Sequence, residues 1–207
     1  MPGPEAPAVV RDAATVLLLR DDAAGLVVWM MRRLPTMAFA ARAHVFAGGS
    51  VDAVDRATAA DASRWAVPVE ETARSMGCAP DRAAAVLAAA VRETDEECGI
   101  DLAGGPAIDP ERLVPWAWWL TPHRFPRRYD TWFFAVDARG LGEPRHQALD
   151  EADDARWWRP AAALREAEAG RISLLPPTLD CVQRLARAST VAEALADVRW
   201  PLVQRAG

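Results

Sequence analysis

The sequence predicts an α/β or α+β sandwich, a mixed sheet with helices packed on it. Three observations point there. Near the N-terminus, apolar β-branched runs flank turn-forming residues; in the middle, an alanine-rich stretch ends at a glycine; toward the C-terminus, Trp- and Phe-rich runs are followed by proline-opened amphipathic segments.

Residues 13–20 and 26–33 read as a hairpin about the turn Asp21-Asp22-Ala23-Ala24-Gly25. A short strand from His44 then runs into Gly48-Gly49, where the backbone is able to turn sharply or approach a ligand. Residues 56–80, alanine-rich and polar with Trp65 and Pro68 as punctuation, read as an insertion of one or two short helices. Asp81 is a candidate N-cap for a helix through Cys98, with Gly99 as its left-handed C-cap. Strands follow at 112–120 and 129–136, joined by a proline-containing loop. A last strand at 155–158 leads into helices at 160–169 and 176–187, and a short helix starts at Val191.

At 207 residues and 51% hydrophobic content, the chain is long enough to bury a full core. The net charge of -5 argues against a nucleic-acid binder, which needs a basic face, and weakens a membrane-surface reading. No apolar run reaches the roughly 20 residues that span a bilayer, and residues 1–7 do not resemble a secretion signal, so a cytoplasmic location is expected. Cys78, Cys98 and Cys181 match neither a disulfide framework nor a zinc pattern.

The chemistry concentrates in Arg92-Glu93-Thr94-Asp95-Glu96-Glu97-Cys98-Gly99-Ile100. On a helical wheel Glu93, Glu96 and Glu97 fall within an arc of roughly 100°, while Leu87, Val91 and Cys98 form a separate stripe. Three carboxylates at the negative end of the helix macrodipole need an offsetting charge, and hard divalent cations such as Mg²⁺ or Mn²⁺ supply one. A solvated acidic face is the plain alternative for any such run.

This segment resembles the second half of the Nudix box, R-E-U-x-E-E-x-G-U, with Thr94 at the first aliphatic position, where its hydroxyl is expected to bond back to the Ala90 carbonyl. Gly49-x5-Asp55 resembles the first half, G-x5-E, with Asp in place of Glu; 36 residues then precede Arg92 where the family pattern has seven. A long insertion here is similar to the coenzyme A diphosphatase-like branch. So are 44–52, with Ala47 for the usual Pro, and Trp119-Leu120-Thr121-Pro122, residues 128–134 and Leu174-Leu175-Pro176-Pro177-Thr178. In that branch's upstream signature Arg33 and Met37 match, and Ala40 and Arg42 stand in place of its internal His and Gly.

The resemblance implies a Nudix-like α/β/α sandwich with a mixed sheet and a helical insertion, forming one domain over 1–207. It implies a metal-dependent hydrolase of a small-molecule diphosphate, a nucleoside diphosphate linked to another moiety, with coenzyme A or acyl-CoA the first substrate. Nucleotide sugars, dinucleotides and oxidised nucleotides are alternatives, as is a catalytically silent binding module, given Asp55, Thr94 and Ala47. Glu93, Glu96 and Glu97, with the Gly48 carbonyl, would hold Mg²⁺ or Mn²⁺. Glu93 or Glu97 would act as base, and Arg92 would orient a glutamate. Glu151 would be an additional acid, with Asp150, Asp153 and Asp154 as rivals, and Arg33, Gly49, Arg128 and Tyr129 would contact substrate.

Nine tryptophans leave three roles open: core packing, which is favoured, a homodimer interface, or stacking on a base. Alternation puts Trp116 and Trp118 on one side of their strand and Trp119 on the other. Arg124, Arg127 and Arg128 suit phosphate clamping or plain surface charge, and neither His44 nor His123 is given a catalytic role.

Overall fold

In a computed structural model, residues 9–36, 40–145, 152–197 and 204–206 are described, the last three as backbone. The N-terminal hairpin forms as expected, with longer strands: β1 (Val10–Asp22) pairs antiparallel with β2 (Gly25–Arg33) from Leu19↔Val28 to Asp22↔Gly25. Beyond those pairs the two strands part. The short β3 (Ala43–Val45) follows β2, and after Phe46 the chain crosses to β1, where β4 (Ala47–Ser50) pairs from Val16↔Ala47 to Ala13↔Ser50. The sheet therefore forks, and the glycine pair lies on the β1 branch.

Between β4 and the next long helix lie α1 (Ala53–Ala60), which starts ahead of the 56–80 segment read as helical, a single 3-10 turn at Ala62–Arg64 and α2 (Glu70–Met76). Both helices pack on α3 (Pro80–Cys98). That packing changes the expected amphipathic pattern: Ala83 through Ala90 are buried on every side of α3, where small alanines let neighbouring helices and sheet approach closely. Asp81 is not the cap. Ala79 is, because Pro80 occupies the first helical position, where its missing N–H costs nothing, and Asp81 falls inside the first turn. Gly99 does terminate the helix, at φ 63°, with its N–H donating to the Asp95 carbonyl.

β5 (Val114–Leu120) pairs antiparallel with β6 (Arg128–Asp137), which runs parallel to β1 from Val10↔Arg128 to Leu19↔Asp137. The register shifts between Pro115 and Ala117, so alternation fails: Trp116 packs on the opposite sheet face from Trp118, and shares its side with Trp119. β7 (Ala152–Trp158) lies beside β2. α4 (Pro160–Glu168) leads to β8 (Ser173–Leu174), parallel to β3; α5 (Pro176–Leu185), α6 (Val191–Ala196) and β9 (Gln204–Ala206), parallel to β5, complete the chain.

Alternation along β1 divides two cores. Ala14, Val16 and Leu18 face α2 and α3 with Trp132 and Phe134, whereas Leu17 and Leu19 face the α4–α6 layer with Trp116 and Phe133. The result is a three-layer α/β/α arrangement around a mixed sheet, the fold class read from the sequence. Among the described residues no helix is long and apolar enough to cross a membrane.

Replacing Gly99 by Ala places a Cβ in the left-handed conformation and is expected to cost about 1 kcal/mol, read as a lower urea midpoint at unchanged slope.

Candidate active site

The site forms where the last two turns of α3 meet β4. Gly48 sits opposite Thr15 at φ 155°, and a Cβ there would lie 2.2 Å from the Ala14 carbonyl oxygen, so only glycine fits the β1–β4 contact. Its N–H donates to Glu97 Oε2 at 2.8 Å and fixes that carboxylate, whose residue is 8% exposed. At Gly49 an added Cβ would fall 2.2 Å from Glu93 Oε1; the missing side chain is the space the Glu93 carboxylate uses.

Arg92 connects these parts. Its Nε and Nη2 donate to the two oxygens of Asp55 at 2.9 Å each, a two-point pairing that a planar guanidinium suits. Nη1 donates to Glu93 Oε1 and Glu96 Oε2, both at 2.9 Å, and Nη2 reaches the Ser50 carbonyl at 3.2 Å. The pairing with Asp55 raises the Arg92 pKa well above its ordinary value, against the opposing effect of burial. Asp55, with a side chain only 2% exposed, also accepts the Asp52 N–H at 2.8 Å and so closes the first turn of α1.

Thr94 donates to the Ala90 carbonyl at 2.7 Å, as expected, and is fully buried. Behind the acids, Cys98 is pushed up to about 12 by burial and by the neighbouring Glu97, which keeps it a protonated, inert thiol.

The structure thus brings together Gly48, Gly49, Arg92, Glu93, Glu96 and Glu97. It adds Asp55 as the partner of Arg92, a pairing marked in the sequence only by the acid six residues after Gly49. Other expected residues stand apart. Arg128, 5% exposed, donates to the Thr121 carbonyl at 3.0 Å, while the Tyr129 N–H donates to Thr121 Oγ1 at 3.1 Å and the Tyr129 carbonyl accepts the Thr121 N–H at 2.9 Å, so both close the β5–β6 turn. By register Tyr129 lies four residues along β6 from the level of Gly48, about 13 Å. Arg33 ends β2 opposite Ala152 and accepts the Arg42 N–H at 3.1 Å through its carbonyl. Ala40 and Arg42 both adopt left-handed backbone, φ 54° and 62°. Asp153 pairs with Arg32, and Asp154 lies 3.9 Å from Arg156. Met37, Asp150 and Glu151 lie outside the described residues.

The chain matches the NUDIX domain family over residues 9–176. It belongs to that family. A NUDIX hydrolase from Alicyclobacillus acidocaldarius superposes with a TM-score of 0.74 at 25% identity, covering 92% of this chain and 97% of that one. A MutT protein from Methanosarcina mazei Go1 (TM-score 0.52, 13% identity, 87% and 95% coverage) has a similar fold. So does the NUDIX domain of Shewanella oneidensis NrtR complexed with ADP ribose (0.51, 14%, 90% and 92%). Among curated proteins nothing matches. The chain is a Nudix hydrolase, and hydrolysis of nucleoside diphosphate derivatives is the reaction its membership implies.

Nudix hydrolases use divalent metal ions. Among the described residues no three acidic, His or Cys side chains already surround one point for an ion. Arg92 Nη1 holds one oxygen each of Glu93 and Glu96. The donor chemistry still fits, since Glu93, Glu96 and Glu97 are hard oxygen donors at one helix end, and the Glu96 side chain is 57% exposed. His44 belongs to the opposite face, buried edge-on against Trp158 at 5.5 Å.

Replacing Asp55 by Asn leaves Arg92 without its principal charge partner and is expected to cost about 2 kcal/mol in chemical denaturation. Burial, with Arg32 nearby, holds the His44 pKa below 6.5, so the unfolded chain takes up that proton first. His44 stability is complete above pH about 6.5 and is lost as the pH falls toward the folded value; His44→Gln should flatten that slope in melting curves across pH.

Proposed function

We propose that this Nudix hydrolase cleaves the diphosphate bond of a nucleoside diphosphate linked to another moiety, and that the substrate is coenzyme A or an acyl-CoA. The observation that carries the hydrolytic reading is the grip of Arg92 on Asp55, Glu93, Glu96 and the Ser50 carbonyl, which joins two segments 36 residues apart in sequence into one acidic centre.

Glu93, Glu96 and Glu97, with the Gly48 carbonyl, would hold Mg²⁺ or Mn²⁺. When bound, the metal supplies charge neutralisation for the phosphates and acidifies a water. Glu97 is restrained by the Gly48 N–H and Glu93 by Arg92 in the gap over Gly49, so each carboxylate is aimed before substrate arrives. Either residue serves as the base that takes the proton of the attacking water. Glu96, the most exposed of the three and now bonded to Arg92, would be the ligand freest to turn toward a cation.

Two features support the coenzyme A reading. Residues His44 and Leu174, from the two distant segments that resemble the same branch, pair in the β3–β8 ladder. The loop after Arg33 keeps left-handed backbone at Ala40 and Arg42, which glycine would adopt at less cost, and such strain persists where the surroundings impose it. Arg33 is its nearest candidate contact for the substrate.

Coenzyme A, acyl-CoA, nucleotide sugars, dinucleotides, ADP-ribose and oxidised nucleotides, each with Mg²⁺ or Mn²⁺, form the test panel. Cleavage of coenzyme A to a phosphopantetheine product ahead of the others is expected; a preference for another member overturns the substrate. Glu97→Gln should lower kcat about 100-fold or more with its melting temperature retained, and unchanged turnover rejects the metal and base assignments.

A further inference from the structure

Arg82 belongs to no part of the Nudix box, yet it stands at the centre of a second ionic cluster on the same helix. Asp12 and Asp130 face each other across the parallel β1–β6 pair, an arrangement that repels when uncompensated. Arg82 compensates both. Its Nη2 donates to Asp12 Oδ1 at 2.5 Å and to Asp130 Oδ2 at 2.8 Å, and its Nε reaches Asp12 Oδ1 at 3.1 Å. The guanidinium lies 4.4 Å over the Trp132 ring, and Trp118 Nε1 donates to Asp130 Oδ1. The Asp12 and Asp130 side chains are mostly buried, so this interaction is little diluted by solvent.

The backbone of Asp12 leads from this cluster to the site. Its carbonyl accepts the Val51 N–H at 2.9 Å, and the next residue, Ala13, pairs with Ser50, whose carbonyl holds Arg92. Arg82 and Arg92 are ten residues apart, about 15 Å along α3, and both act on the segment 50–55. One does so through the sheet, the other directly.

We propose that Arg82 is a positioning residue of the hydrolytic site: by fixing Asp12 it holds the Ser50–Asp55 segment at the distance Arg92 and the glutamates require. Chain connectivity does this poorly here, because 36 residues separate Asp55 from Arg92. The turns of α3 that follow the inserted segment carry the replacement anchor. The proposal rests on the reading of Glu93–Glu97 as the hydrolytic centre.

The test compares wild type, Arg82→Met, Arg82→Lys and Arg82→Met/Asp12→Asn/Asp130→Asn. The last removes the charge imbalance along with the clamp, so it keeps the question open to test if Arg82→Met fails to fold. Hydrogen exchange at the Val51 amide and steady-state kinetics are read with melting temperature. Arg82→Met should speed Val51 exchange and lower kcat, each about tenfold or more, with KM within about twofold. Arg82→Lys should recover part of both, since a single ammonium replaces the charge but not the three-bond fork. The triple variant should regain melting temperature without regaining slow exchange or kcat. Wild-type exchange and kcat in folded Arg82→Met, or full kcat in the triple variant, overturns the proposal. Wild-type protein that hydrolyses nothing in the panel overturns the hydrolytic reading instead, and Val51 exchange then decides the tether alone.

Discussion

The guanidinium of Arg92 is the interaction on which the site depends. Glu93, Glu96 and Glu97 crowd the end of α3 where the helix dipole is already negative, and Asp55 brings a fourth carboxylate beneath them. A lysine would offer one charge at one point. The planar fork instead divides its donors among Asp55, Glu93, Glu96 and the Ser50 carbonyl, satisfying charge and direction together. Because Asp55 is almost fully buried, this pair is sensitive to loss of either member in a way exposed ion pairs are not.

That arrangement needs a close and rigid approach of helix to strand, which glycine and alanine provide. Gly48 allows β4 to lie against β1, and Gly49 leaves room for the Glu93 carboxylate. The middle of α3, residues 83–90, is alanine-rich and buried all round because α1 and α2 cover the side that would otherwise face water. These two helices thus act as packing for the helix that carries the acids, whose middle turns are buried rather than on the surface.

Local features were legible in the sequence; those that depend on distant partners were not. Gly99, the Thr94–Ala90 bond and the first hairpin follow from rules that operate within a few residues. The acids were legible because their helical spacing and motif are local too. Trp116 and Trp118 misled because one register shift in β5 reverses every side chain beyond it, and nothing nearby marks the bulge. Asp81 lost the cap to the residue before a proline, a competition between two good helix starts. β8 and β9 are two and three residues long and exist only through their pairing with β3 and β5. Arg128 carried the charge expected of a substrate contact, but burial and its bond to Thr121 assign it to a turn. The pairing of Asp12 with Asp130 required the β1–β6 register, which no window of sequence contains.

The long gap inside the box is less disruptive than its length suggests. Lengthening a loop from seven residues to 36 costs about 1.4 kcal/mol of closure entropy, since the penalty grows only with the logarithm of length. A single partly buried, charge-assisted hydrogen bond offsets a sum of that size. Here the ordered insertion spends much of its length as helix packed on α3, and Arg92 closes the gap at its end. What the insertion removes is the geometric coupling of a short connection, not the stability of the join. Coupling must then come from side chains that reach across, which is why charges at the α3–sheet boundary matter more in this chain than the box spacing alone implies.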